Sequence, residues 1–273
     1  MRKRILLLSV LISSISVSVF AQQFNALVFT KTDGYHHVSV NEGIDALRWL
    51  AKRNDFTLDW HEDANRVFND QALAKYDVVI FLMTTEDILN DEQQEAFKKF
   101  IQSGKGFVGI HTASDTEYDW PWYNELVGRM FYIHPHRQTA LIKVEDSNFP
   151  GMQLMPEIRW WTDEWYEFGE EKSDNLNYLI TVDESTYDVN AKWEARPDRE
   201  ERVAKGMDGY HPVAWYHEFD GGRSFYTAMG HMAETYKDPI FLEHIYGGIF
   251  WSATGKGVLA QSETATEKSK KKK

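Results

Sequence analysis

The chain contains no cysteine in its 273 residues, which excludes disulfides, a thiolate nucleophile, a cysteine-ligated zinc site and lipid attachment at cysteine. Positive charge is also short. Thirty Lys and Arg stand against 42 Asp and Glu, a formal net charge of −12. So acidic a chain repels the phosphate backbone of nucleic acid, whose affinity depends on Lys and Arg neutralising phosphates, and no nucleic-acid partner is expected. The one basic cluster, Lys268 with Lys270 to Lys273, reads as part of a solvated, disordered tail over residues 256–273. No segment supplies the run of about 20 strongly apolar residues that a stable membrane span needs. A Gly-rich dinucleotide fingerprint, a Walker-type phosphate loop and a Gly-x-Ser-x-Gly elbow are all missing, which disfavours nucleotide cofactors and serine hydrolysis.

At the N-terminus, Arg2, Lys3 and Arg4 precede an apolar run from Ile5 to Phe20, interrupted by serines and closed by Val19-Phe20-Ala21. This is the pattern of a cleaved secretory signal over residues 1–21, and it predicts a secreted or periplasmic protein. Removing the three basic residues would take the formal charge from −12 to −15. Aromatic residues are plentiful, with ten Trp, thirteen Tyr and sixteen Phe. They serve equally well to fill a core or to stack on an apolar ligand face such as a sugar ring.

Hydrophobic patterning predicts strands over 24–30, 56–60, 77–83 and 106–110, with helices over 39–52 and 91–102 between them. Ser39 and Glu42 have the spacing of a capping box at the first helix. Strands alternating with helices imply a parallel sheet with right-handed crossovers, so residues 22–255 are expected to form one α/β domain with a flavodoxin-like, doubly wound, mainly parallel sheet. An additional strand-rich second half is predicted over 138–145, 178–182, 213–219 and 223–229, the last two joined as a hairpin through Gly221-Gly222, before a closing helix over 239–251. Ligands of such folds lie beyond the carboxyl ends of the strands.

Several of the ten histidines follow those strand ends: His36 and His37, His111, His134 and His136, and His231. Imidazoles that converge can carry protons near neutral pH or ligate a divalent metal ion, with His36, His37, His134 and His136 as the candidate ligands. The candidate catalytic groups are His111 and His231, assisted by Asp115 and Glu164. Glu164 lies among Trp160, Trp161, Trp165 and Tyr166; a carboxylate buried there must be paired, protonated or at a cleft lip. Tyr35, Trp165, and Trp120 and Trp122 of the loop Asp119-Trp120-Pro121-Trp122-Tyr123 are the candidate substrate-stacking residues.

Read in order, Val28-Phe29-Thr30-Lys31-Thr32, Gly34-Tyr35-His36-His37-x-Ser39, Phe107-Val108-Gly109-Ile110-His111 and Asp115-Thr116-Glu117-Tyr118 resemble the ThuA-like (trehalose-utilisation) family. The resemblance continues through Asp163-Glu164-Trp165-Tyr166, His211-Pro212-x-x-Trp215, Gly222-Arg223-Ser224-Phe225-Tyr226, Gly230-His231 and Gly247-Gly248-Ile249-x-Trp251. It implies a fold similar to the class I glutamine amidotransferases, in which a strand-to-helix turn usually presents a cysteine. His111 stands there instead, which argues against thiol-based amide transfer. At His36 the chain departs from the Arg common in relatives. The resemblance implies a carbohydrate ligand. Two functions follow as expectations: an exported enzyme acting on a sugar or an oxidised sugar derivative, or a non-catalytic carbohydrate-binding protein of the cell envelope.

Overall fold

The computed structural model describes residues 22–191 and 203–258. The signal segment, most of the basic tail and residues 192–202 lie outside the described residues. Apolar runs become strands in chain order: β1 (Asn25–Phe29), β2 (Thr57–His61), β3 (Val78–Leu82), β4 (Gly106–Ile110), β5 (Phe131–Ile133), β6 (Gln138–Val144), β7 (Ile158–Asp163), β8 (Glu167–Phe168), β9 (Asn177–Val182), β10 (His211–Phe219) and β11 (Gly222–Thr227). The helices are α1 (Val40–Arg53), α2 (Ala64–Val67), α3 (Asp70–Leu73), α4 (Asp91–Gln102), α5 (Pro121–Val127) and α6 (Pro239–Thr254).

Nine strands form one sheet in the order β2-β1-β3-β4-β11-β10-β9-β6-β7, while β5 and β8 pair separately. From β2 to β11 all pairings are parallel; from β11 to β7 all are antiparallel. The expected α/β fold with a strand-rich second half is therefore present, and the hairpin β10–β11 stitches its two halves together. The parallel half is recognisable from sequence because β3 and β4 are buried at every position, as strands covered on both faces must be. Helix α6 packs across β3, β4 and β11. A Cβ at Gly248 would come within 2.5 Å of the Phe225 ring, so α6 lies this close to the sheet only because glycine stands there.

Two local expectations are corrected. Ser39 and Glu42 form no capping box: Ser39 makes no side-chain cap bond, and its hydroxyl instead donates to the His231 carbonyl at 2.6 Å. A capping box is formed instead at α4, between Asn90 and Gln93. Of the aromatic loop read over residues 119–123, Pro121, Trp122 and Tyr123 instead open helix α5, with Pro121 in its first turn, where the missing N–H costs nothing.

Candidate active site

Three of the parallel strands end at one place. His37 lies in the loop after β1, His111 directly follows β4, and His231 follows β11 by four residues. Strand β7 is at the far edge of the sheet, yet the residue at its end, Asp163, accepts the backbone N–H of Gly230 at 2.9 Å and of His231 at 3.2 Å. The strand-rich half therefore curls back until its last strand meets the carboxyl ends of the parallel half, and this delivers Glu164 into the histidine cluster.

His111 holds the centre and is fully buried. Its backbone has φ +58°, a left-handed conformation that strains any residue with a Cβ. The ring is fixed on one side, where Nδ1–H donates to the Ala228 carbonyl at 2.7 Å. The other nitrogen, Nε2, meets the Tyr166 hydroxyl at 2.8 Å, His37 Nε2 at 3.2 Å, His231 Nδ1 at 3.4 Å and Glu164 Oε2 at 3.5 Å. Glu164 Oε2 is also 3.2 Å from His231 Nδ1 and 3.5 Å from His134 Nε2. His134 in turn is oriented by an Nδ1–H bond to the Pro135 carbonyl at 2.7 Å. The Tyr166 ring lies against both the His111 and His134 imidazoles.

The electrostatics follow from burial and pairing together. Burial alone would raise the Glu164 pKa, but hydrogen bonds with His111 and His231 and the nearby His134 more than reverse this and hold the carboxyl well below its usual range. For His111, burial opposes the cationic form, yet the Glu164 carboxylate outweighs it and raises the imidazole pKa. Burial, then the neighbouring His111, pushes His37 down to about 2, and burial lowers His134 as well. Tyr166 is raised well above 10, chiefly by burial and then by Glu164, so its hydroxyl keeps its proton. One anion, a cation-favouring imidazole, neutral imidazoles and a protonated phenol thus share a small volume. This is a set able to donate and accept protons at the same ligand.

The supporting residues are specific. Asp163 is buried and accepts four N–H groups: those of Gly230 and His231, the Glu164 backbone at 3.0 Å and the Trp161 indole at 3.1 Å. Gly230, at φ +122°, makes the turn that presents His231. Tyr226 donates to the His111 carbonyl at 2.8 Å. His211 is structural, bridging Glu184 at 3.0 Å and the Tyr166 carbonyl at 2.8 Å. Two groups edge the cluster toward solvent: His231, with 21% of its side chain exposed, and Tyr35, 48% exposed, whose ring stands edge-on to His37.

Of the residues singled out from sequence, His111, His231, Glu164, His37 and His134 come together, with Tyr35 at the rim. The others do not. His36 and His136 are exposed: His36 contacts Thr32, and neither belongs to the group of His37, His111, Glu164 and His231, whose ligand atoms lie within 4.8 Å of one another. Adjacent residues point apart, and an i, i+2 pair shares a face only in a regular extended strand, which residues 134–136 do not form; this is why the sequence pairs fail. Asp115 takes the Tyr118 hydroxyl at 2.5 Å, and the carboxylate beside His111 is Glu164. Trp165 is fully buried with its indole on the Gln138 carbonyl, so it has no face to offer a ligand. Trp120 and Trp122 pack on Phe97, and Trp122 donates to Asp220 in the β10–β11 turn, at the opposite end of the strands from His111. Tyr166 and Asp163 join the cluster without having been nominated from sequence; their neighbours in Asp163-Glu164-Trp165-Tyr166 were the available signal.

The ThuA family profile, described as trehalose utilisation, matches residues 25–252. The chain belongs to the ThuA family. No curated protein matches it. Among solved structures, a ThuA-like protein from Bacteroides uniformis is similar with a TM-score of 0.68 and 21% identity, covering 88% of this chain and 95% of that one. Another, from Parabacteroides merdae, has a TM-score of 0.64 and 17% identity, covering 88% and 93%. The fold also resembles part of a β-galactosidase from Bacillus circulans sp. alkalophilus, with a TM-score of 0.51 and 16% identity over 88% of this chain but only 32% of that one. At these identities the likeness is one of fold. Among the described residues no helix is long and apolar enough to cross a membrane.

Proposed function

We propose that this ThuA-family chain is an exported enzyme whose substrate is a sugar or an oxidised sugar derivative, processed at the cluster of His37, His111, His134, Glu164, Tyr166 and His231. The observation that carries the reading is the convergence itself. Segments that are 74 and 120 residues apart in sequence from His111 place imidazole nitrogens 3.2 and 3.4 Å from its Nε2, around a strained His111 backbone. Folding tolerates such strain and such buried charge where chemistry needs them. The trehalose-utilisation description of the family supplies the substrate class.

In this reading a sugar enters past Tyr35 and His231. The Glu164 carboxylate, held as the anion, favours the cationic form of His111, and the protonated Tyr166 hydroxyl donates a hydrogen bond to the oxygen on which negative charge develops. His111 is held by Ala228 and Tyr226 so that its reactive nitrogen stays aimed at that oxygen. The non-catalytic alternative needs exposed stacking rings. Of the rings nominated from sequence, Trp165 is buried and Trp120 and Trp122 stack in their own cluster, so only Tyr35 among them stands exposed beside the histidines.

Export over residues 1–21, with a single domain over 22–255, belongs to the same proposal and is checked by N-terminal sequencing of the mature protein, expected to begin at Gln22. For the chemistry, the chain is incubated with a panel of saccharides and their oxidised derivatives. Turnover of at least one, abolished by His111→Ala, supports the proposal; turnover that survives in that variant removes His111 from the mechanism.

A further inference from the structure

The hydrogen bonds around His111 Nε2 do not balance. Because Nδ1–H is committed to the Ala228 carbonyl, a neutral His111 carries a lone pair on Nε2, and a cationic one carries a single proton there. Around that one position stand two further imidazole nitrogens, a carboxylate oxygen and a phenol, at 2.8 to 3.5 Å. One proton serves one acceptor. The remaining lone pairs of His37, His231 and Glu164 then face one another in a buried space, and His37 Nδ1 has no hydrogen-bond partner. A single cation among them would satisfy all four donors at once.

Distances agree with that solution. Ligands held at about 2.0–2.1 Å in a tetrahedron are separated from one another by roughly 3.3 Å. The four shortest edges here are 3.2 Å (His37 to His111), 3.4 Å (His111 to His231), 3.5 Å (His111 to Glu164) and 3.2 Å (His231 to Glu164). All four donor atoms lie within 4.8 Å of one another. We propose that His37 Nε2, His111 Nε2, His231 Nδ1 and Glu164 Oε2 form a mononuclear site for a divalent transition-metal ion. Three imidazole nitrogens and one carboxylate oxygen suit zinc, cobalt or a similar borderline ion and not calcium or magnesium, which take oxygen ligands.

The surroundings are those of a built ligand set. Outer bonds that fix ring orientation usually accompany metal-binding histidines, and the Ala228 carbonyl does this for His111. Asp163 holds the backbones of two ligands, Glu164 and His231, on one carboxylate, and Ser39 holds the His231 carbonyl. His37 has no such bond among the described residues, so it is the weakest ligand of the four. Tyr166, whose hydroxyl now meets His111 Nε2 at 2.8 Å, would need a new acceptor once that nitrogen held an ion. This inference rests on the same cluster as the proposed function, gives His111 Nε2 to the ion in place of the substrate oxygen, and does not depend on the sugar assignment.

The test uses the untagged full chain, stripped with a chelator, dialysed and titrated with Zn²⁺ and separately with Co²⁺. Bound ion is read by elemental analysis and, for cobalt, by the visible absorption of a four-coordinate centre. One ion per chain is expected, with a loss of affinity of at least 100-fold in His111→Ala and Glu164→Gln, a smaller loss in His37→Ala and none in His36→Ala. Glu164→Gln keeps the shape of the side chain, and circular dichroism of each variant separates lost binding from lost folding. A wild-type chain that retains no ion from micromolar Zn²⁺ or Co²⁺, or folded Glu164→Gln and His231→Ala variants that bind as wild type does, overturns the site. A chain that takes up no added ion yet shows His111-dependent sugar turnover would overturn the metal centre and leave the proposed function standing; a bound ion without sugar turnover would do the reverse.

Discussion

The parallel and antiparallel halves of the sheet contribute to the site in different ways. The parallel half places His37, His111 and His231 by topology alone, since each follows a strand that ends at the same edge. The antiparallel half contributes Glu164, Tyr166 and His134, and it reaches the same place only because it curls until Asp163 docks on Gly230 and His231. One half makes a row of imidazoles; the other supplies the anion and the phenol that give the row its chemistry.

This comparison breaks most readily at Asp163. Alanine there strips the acceptor from four N–H groups, three of them backbone, in a buried site. A loss of about 3 kcal/mol or more is expected in urea unfolding, since charged hydrogen bonds contribute roughly 1.5–3 kcal/mol each and the orphaned donors add their own cost. A loss below about 1 kcal/mol would mean that the curl is held by other contacts.

A second break is electrostatic and lies away from the site. The Glu184 pKa is lowered to about 2, first by its hydrogen bond with His211, against burial, with the Met207 and Gly209 N–H groups adding to it. A depressed carboxylate contributes stability that is present above its ordinary value near 4.5 and is lost as pH falls from there toward about 2. Glu184→Gln should therefore be less stable than wild type at pH 6, with the gap closing as pH falls through that window. A gap that stays constant would show that the Glu184 charge does not support the loop at 207–209.

The smallest expected effect is at Ser39, where sequence spacing and structure disagree. If the hydroxyl holds the His231 carbonyl, Ser39→Ala costs about 1 kcal/mol in unfolding and also weakens ligand handling at His231. A helix cap would cost the same stability and leave the site unchanged.

The two halves also differ in what their sequences disclose. Strands β3 and β4, apolar and buried throughout, and helix α4, with its cap and periodicity, are legible because burial on two faces and helical repeat leave strong patterns. Strand β7 is not, since Ile158-Arg159-Trp160-Trp161 alternates between an exposed edge face and the interior, and Trp160 is 59% exposed. Without β7 the curl is invisible, and with it the pairing of Glu164 to His111. Residue type alone nominated His111, His231 and Glu164, which the fold brings together, but could not separate His37 from His36 or His134 from His136, because neighbouring loop residues differ only in where their side chains point. The aromatic residues misled for a related reason: Trp120 and Trp122 are near His111 in sequence, but α5 carries them toward the other end of the strands.

The most direct measurement sets these regions against each other in one assay. Sugar turnover is compared in Glu164→Gln, which removes the charge at the imidazole cluster, and in Trp122→Ala, which removes an aromatic ring from the opposite end of the sheet. A fall of at least 100-fold in kcat for Glu164→Gln, with Trp122→Ala close to wild type once its stability is matched, is the predicted result. Turnover that persists in Glu164→Gln and fails in Trp122→Ala would contradict the assignment of the site.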